Sequence, residues 1–554
     1  MAATTAWIKK TYHTKGLDPL GAQAPAINIY GQLLPGITNV TDRARYYSFY
    51  PWMVWAYDQL PGEKTQTDFV EWVRRADCLF TMIGIRHRYT SGGEDLSRHE
   101  QGLVGSQTLH QVVANLGPSD TLRLSDYTVL EDGNPLRYFK NRLGGLKQYY
   151  IGTFDGLGLM TSRGAGVAYT EEGGKPLAEA MDSSVNRKLF TEAVRGNEIT
   201  AAHLDALTSF CPCQLPSSPA EHAALVNLFF ERGPSPTEEG LQRRHTLALM
   251  LDLVRTMALD GDGNGPRFDQ AAYRGCVYAG ALPGGKAWEL PSKLEATRMQ
   301  WRAYQRHELL SVAVQCLFWV ALDSLYTERP ELASTEDFTR WFEGQPWVVA
   351  AANELGGGDW ATAAKRTRDN LPALSDWLDE EHEITLARKA LEACSAREKR
   401  EVRGELLQVA GKLLLTLAAR DDGASPAYDP LTFPADYFTL YPINLESLRR
   451  LSKDHWPTLS LPQWLAWVAG HWGIEAHLRV ALRKLRYQTK DTFHVLPTDQ
   501  GFTVAAMPEP TYTSPRFFQA VQILEDLGAI DRRAGAGAVT LNPLGEELWR
   551  GAHG

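Results

Sequence analysis

Two stretches far apart in the chain carry the same order of local signals, and that repetition constrains the fold more than any other feature of the sequence. Residues 138–178 read as a long amphipathic helix ending at Leu157-Gly158-Leu159, then Gly164-Ala165-Gly166, then Val167 to Gly173, with an apolar tail at Leu177. Residues 517–549 repeat the order: the helix ends at Leu527-Gly528-Ala529-Ile530, Gly535-Ala536-Gly537 follows, then Val539 to Gly545, and Leu548-Trp549 close the stretch. The physical logic is shared. A glycine ends the helix by adopting a left-handed backbone, two short strands fold about a glycine turn, and Thr170 or Asn542 caps the next helix. Helix, wing, helix is the carboxyl half of a winged-helix unit, and finding two copies in one chain strengthens the assignment.

A third candidate lies just before the second copy. Ser460-Leu461-Pro462-Gln463 has the form of a capping box with proline in the first turn, opening a helix that is expected to stop near Gly470 to Gly473. Ile474 to Lys490 then predicts a second helix, and Thr492 to Leu496 with Phe502 to Val504 predicts a hairpin about Asp499-Gln500-Gly501. The long middle of the chain is helical by periodicity, with apolar faces such as Leu225, Leu228 and Phe229, or Leu406, Val409, Leu413 and Leu417. Nearer the amino terminus, Thr41-Asp42 predicts a helix cap ahead of the aromatic run Arg43 to Tyr57, in which Pro51 predicts a kink or an early end.

With 554 residues the chain exceeds what one hydrophobic core organises. The expected architecture is mainly α: a multidomain helical scaffold with two or three winged-helix units carrying small β-wings. Its expected divisions are a helical domain over 1–130, a winged-helix-like unit over 131–182, a helical scaffold over 183–460 and a winged-helix region over 461–554.

Composition narrows the function. A net charge of −9 excludes a uniformly basic nucleic-acid coat, because phosphate binding needs clustered Lys and Arg, so any such site must be local. Met1 to Gly16 lacks the apolar core of a signal peptide. The most apolar stretch, Leu309 to Leu322, is interrupted by Ser311 and Gln315 and reads as a buried core helix rather than a membrane span. The six cysteines, at 78, 211, 213, 276, 316 and 394, are scattered as in a protein of a reducing compartment. A cytoplasmic protein with no membrane contact is expected.

Short motifs with chemical content are few. Asp260 to Gly265 matches the first half of a calcium-binding loop, but Ala271 stands where the bidentate Glu belongs and Pro266 follows the glycine, so a polar turn is expected. Cys211-Pro212-Cys213 is the one close cysteine pair; a zinc site there needs two more ligands, for which His203 or His222 are available, and a loop against the following helix is the expectation, with no metal and no cofactor. Arg302 and His307 have a spacing used by HEPN-type ribonucleases, and Arg450 and His455 share it; the plainer reading of Arg302 and His307 is a solvated edge on the helix that buries Leu309, Leu310 and Val314. The chain has no phosphate loop, nucleophile elbow, zincin helix or dinucleotide fingerprint, and no catalytic residue is assigned.

The helix over Ile474 to Lys490 carries the functional expectation. Arg479, Arg483, Arg486 and Lys490 recur at spacings of four, three and four, which places them on one narrow face of an α-helix as nucleic-acid-binding residues. Leu478, Leu482 and Leu485 are expected on a neighbouring face toward the core. This is the layout of a recognition helix.

Leu33 to Phe49, Trp301 to Trp319 and Arg516 to Ile530 resemble large uncharacterised bacterial proteins associated with anti-phage defence operons. The resemblance implies a subunit working beside a separate ATPase or nuclease and assigns no catalytic residue. The leading expectation is a DNA-binding or DNA-sensing subunit of a cytoplasmic complex, with double-stranded DNA as its ligand. Two alternatives stand beside it: a winged-helix docking subunit of an SMC-type assembly, whose faces would be apolar or acidic, and a HEPN-like or other nuclease.

Overall fold

The computed structural model describes residues 17–92, 96–163, 166–233, 236–260, 268–397, 401–488, 490–498, 501–532 and 539–553. The protein is mainly helical, with 62% helix and 6% strand. Among the described residues the strands pair as four antiparallel two-stranded ribbons. The amino-terminal stretch to Gly16, residues 164–165 and 533–538, where glycine turns were expected, and most of the calcium-like loop (261–267) lie outside the described residues.

The chain divides into two compact units, each assembled from separated segments: one from Met1–Tyr30 and Ala271–Thr513, the other from Gly31–Gln270 and Ser514–Gly554. This differs from the expected divisions at 130, 182 and 460. Side chains join parts of the chain that a linear reading keeps apart: Arg43 pairs with Asp526 in one unit, and Arg274 donates to the Thr513 carbonyl in the other.

The unit built on Ala271–Thr513 surrounds one helix, Ser292–Glu328, of 37 residues and about 55 Å in length. Length and composition alone would let it cross a membrane, but 89% of its most apolar window is buried, so it is a core helix, as read for Leu309 to Leu322. Glu383–Ser395 and Arg403–Ala419 pack along it. The helix opened by the Ser460/Gln463 capping box does not stop at Gly470 to Gly473: Leu461–Trp467, a π-helical stretch Val468–Glu475 and Ala476–Gln488 form one continuous run. The two glycines serve packing instead of a turn. A Cβ at Gly473 would lie 3.4 Å from the Phe318 ring, and one at Gly470 would meet the Thr339 methyl. The expected hairpin is present, Val495 pairing with Val504 and Thr498 with Gly501.

The other unit is organised by the aromatic helix Tyr46–Asp58, whose Tyr46, Tyr47, Phe49, Tyr50 and Trp52 are all completely buried. It passes through Pro51 without ending, losing only the bond that the missing amide would make. Thr41 and Asp42 do not cap it: Thr41 closes a local turn with Thr38, and Asp42 accepts from Gln519. Burial of polar groups is offset by pairing. Arg45 meets Glu221 with both side chains fully buried, and Asp77 accepts from the Tyr50 and Tyr138 hydroxyls and the Gly145 amide, while burial pushes its carboxyl up to about 6.

Both repeated stretches have the helix, hairpin, helix order read from the sequence, but the long helix expected from residue 138 is shorter, a π-helical stretch Leu146–Tyr150 running into Ile151–Gly156. Ile151–Gly156, the pair Met160–Arg163 and Gly166–Tyr169, and Gly174–Asp182 form one; Phe517–Asp526, the pair Ile530–Arg532 and Val539–Leu541, and Pro543–His553 form the other. Gly158 and Gly528 take left-handed φ values of 66° and 69°, as the helix ends require. The Thr170 hydroxyl accepts from the Gly173 and Gly174 amides, and Asn542 reaches back to the Gly528 carbonyl.

Candidate functional site

Two places concentrate chemistry, one in each unit. In the unit of Gly31–Gln270 and Ser514–Gly554, His87, His99, Cys211 and Cys213 bring four ligand atoms within 4.8 Å of one another. His87 sits in the last turn of the helix Gln66–Thr90, which a Thr65/Asp68 capping box starts. His99 ends the short helix Leu96–His99. Cys211 has an extended backbone immediately before a 3-10 turn, Pro212–Ser217, that carries Cys213.

Two arginines at the start of the aromatic helix hold these segments. Arg43 donates to the Arg98 and Gln101 carbonyls at 3.0 and 2.9 Å, flanking His99, while Asp526 neutralises it. Arg45 donates to the Cys211 carbonyl at 2.6 Å, while Glu221 neutralises it. Gly84 supplies the room: a Cβ there would lie 2.9 Å from the His99 carbonyl oxygen. Cys211 Sγ is 3.4 Å from His99 Nδ1, and Cys213 Sγ is 3.3 Å from His87 Nδ1. The neighbouring Cys211 sulfur draws the Cys213 thiol down to about 3, whereas burial pushes Cys211 well up.

The histidines considered beside this cysteine pair in the sequence, His203 and His222, are engaged elsewhere. His203 Nδ1 accepts from the Thr200 amide in a capping box, and His222 donates to the Leu527 carbonyl. His87 and His99 lie more than a hundred residues before the cysteines, in two separate helices, and no ligand spacing links them in sequence.

In the other unit, the helix Ala476–Gln488 carries Arg479, Arg483 and Arg486; the helix expected to reach Lys490 ends at Gln488, so Lys490 lies beyond it. Arg479, Arg486 and Lys490 are exposed; Arg479 pairs with Glu475 one turn back. Arg483 is half-buried, donating to the Leu440 carbonyl and lying 5.1 Å from the Tyr441 ring centre. The expected apolar stripe is not the inward face. Leu482 and Leu485 are 57% and 37% exposed and Leu478 is half-buried, whereas Ala476, His477, Val480 and Ala481 are buried. His477 decides the orientation: its Nδ1 donates to the Pro19 carbonyl and its Nε2 accepts from the His494 amide, so a polar ring takes the place expected of a leucine.

Arg302 and His307 form no ribonuclease-like pair, nor a solvated edge. His307 is completely buried, Nε2 donating to the Ala22 carbonyl at 2.8 Å and Nδ1 accepting from Tyr428 at 2.7 Å. Burial lowers its pKa to about 4, and both ring nitrogens are already engaged. Arg302 is half-buried beside the Tyr278 ring. Comparison of the chain with protein-family models, curated proteins and solved structures finds no match.

Proposed function

We propose that the protein binds double-stranded DNA through the solvent-facing side of the Ala476–Gln488 helix, as a non-enzymatic subunit of a cytoplasmic complex. The observation that carries this reading is the exposure of Arg479, Arg486 and Lys490 in a segment where five Lys and Arg face one Glu between 474 and 490, within a chain of net charge −9. A local cationic stripe on an acidic protein is the electrostatic footprint that phosphate contact requires. The six free cysteines support a reducing compartment. The segments Ile151–Asp182 and Phe517–His553 are read as winged-helix halves on their helix, hairpin, helix order; the stretch from Leu461 to Val504 lacks the turn between helices that this order needs.

A second reading has its own support. Leu482, Leu485 and Tyr487, the last 73% exposed, lie on the same helix as Arg479 and Arg486 and suit a protein partner. Fluorescence anisotropy with a labelled duplex, repeated across salt concentrations, separates the two. The DNA reading predicts that R479E/R486E/K490E abolishes binding at moderate salt, and that each single neutralisation lowers the slope of log affinity against log salt by about 0.9. Unchanged affinity and slope in the folded triple variant would leave protein docking as the better reading.

A further inference from the structure

We propose that His87, His99, Cys211 and Cys213 bind one zinc ion in a closed tetrahedral site that braces the unit of Gly31–Gln270 and Ser514–Gly554. This stands independently of the nucleic-acid reading, which concerns the other unit.

The spacing fits the ion. Zn–S bonds of about 2.3 Å and Zn–N bonds of about 2.0–2.1 Å place neighbouring N and S ligands of a tetrahedron about 3.5 Å apart. The two observed N–S separations are 3.4 and 3.3 Å, one from each histidine to a different cysteine. Two separate hydrogen-bonded pairs would account for those distances one at a time; the convergence of all four ligand atoms within 4.8 Å is what a single central ion explains.

The donor set selects the metal. Two sulfurs and two imidazole nitrogens suit zinc and exclude the oxygen-seeking cations calcium and magnesium. Two thiolates neutralise the ion, so the metal enters a site whose His99 is 6% exposed and whose Cys211 is completely buried without leaving net charge there. With four protein ligands the coordination sphere is full, which makes the ion structural.

The surroundings hold the ligands for that role. The Ser91 hydroxyl lies 3.5 Å from His99 Nε2, the nitrogen turned away from the cysteines, and Gln214 donates to Cys213 Sγ at 3.4 Å. Such outer contacts orient metal ligands and set the histidine tautomer. Arg43 and Arg45 fix the backbone on both sides of the site through their contacts to the Arg98, Gln101 and Cys211 carbonyls. The ion would thereby tie the end of Gln66–Thr90 to a turn more than a hundred residues later, against which Phe517–Asp526 also packs.

The test uses the full chain, purified without an affinity tag, with zinc measured by inductively coupled plasma mass spectrometry. About one zinc per chain is expected. Cys211→Ser/Cys213→Ser should lose it, and His203→Gln should keep it. Because the double variant could fail to fold, cobalt exchange into the wild-type chain is the second measurement: the visible bands of tetrahedral cobalt with a thiolate charge-transfer band are expected. A folded wild-type chain with no zinc and no cobalt spectrum would overturn the proposal. So would a full zinc equivalent in the folded double variant, or intact mass showing a Cys211–Cys213 disulfide in freshly purified protein.

Discussion

Both units bury paired charges, Arg274 with Glu308 in one and Arg43 with Asp526 in the other, and they differ in the polar groups that stand beside those pairs. In the unit around Ser292–Glu328, His307 and His477 are held neutral, each ring donating to a carbonyl and accepting from a neighbour's hydroxyl or amide. In the unit around Tyr46–Asp58, full charges are buried and paired, Arg43 with Asp526 and Arg45 with Glu221, beside four metal-type ligands. Neutral networks fail when a proton is added. Charged networks fail when a partner is removed. Both units should therefore suffer when a charged partner is removed, and the unit around Ser292–Glu328 should also suffer when its histidines gain a proton.

The largest effect is expected from removing one partner of a buried pair. Asp526→Ala leaves Arg43 charged and fully enclosed, and should destabilise its unit by about 3–5 kcal/mol in urea unfolding. A loss below about 1 kcal/mol would mean that the pair contributes no more than a surface bridge.

Acid comes next. Burial lowers His307 to about 4 and His477 to about 3, both below the free value of 6.5, so between those limits the unfolded chain binds more protons than the folded one. Stability present above pH 6.5 is lost as pH falls toward the folded values, by about 2 kcal/mol per histidine at pH 5. Calorimetry should show the unit containing Ser292–Glu328 melting earlier at pH 5 than at pH 7, and His477→Gln should flatten that dependence. A pH-independent transition in the wild type would contradict the assignment of neutral rings.

The smallest effect belongs to the exposed helix face. R479E/R486E/K490E should change the stability of either unit by no more than about 0.5 kcal/mol, because the buried face is Ala476, His477, Val480 and Ala481. A larger loss would show that the cations serve the fold.

How much of this was legible in the sequence depended on range. Gly158 and Gly528, with Thr170, announced two helix ends and one cap because those contacts close within a few residues, whereas Asn542, expected to cap its helix, instead donates to the Gly528 carbonyl in the preceding helix end. Gly470 and Gly473 misled, since their role is set by Phe318 and Thr339 across the core. On the helix Ala476–Gln488, Leu482 and Leu485 looked like the buried stripe, but orientation follows from what His477 meets at Pro19 and His494, and hydropathy carries no record of that. The metal-type cluster was half visible. Cys211 and Cys213 stand one residue apart in sequence, whereas His87 and His99 come from distant segments, the backbone flanking His99 and that of Cys211 held by Arg43 and Arg45 in contacts that only the folded chain assembles.

Native-state hydrogen exchange at pH 7, with and without a zinc chelator, tests the contrast most directly. Chelation should lower amide protection in the last turns of Gln66–Thr90 and in Pro212–Ser217, and leave Ser292–Glu328 unchanged. Equal protection in both states, or loss spread evenly over the two units, would contradict a metal brace confined to one of them.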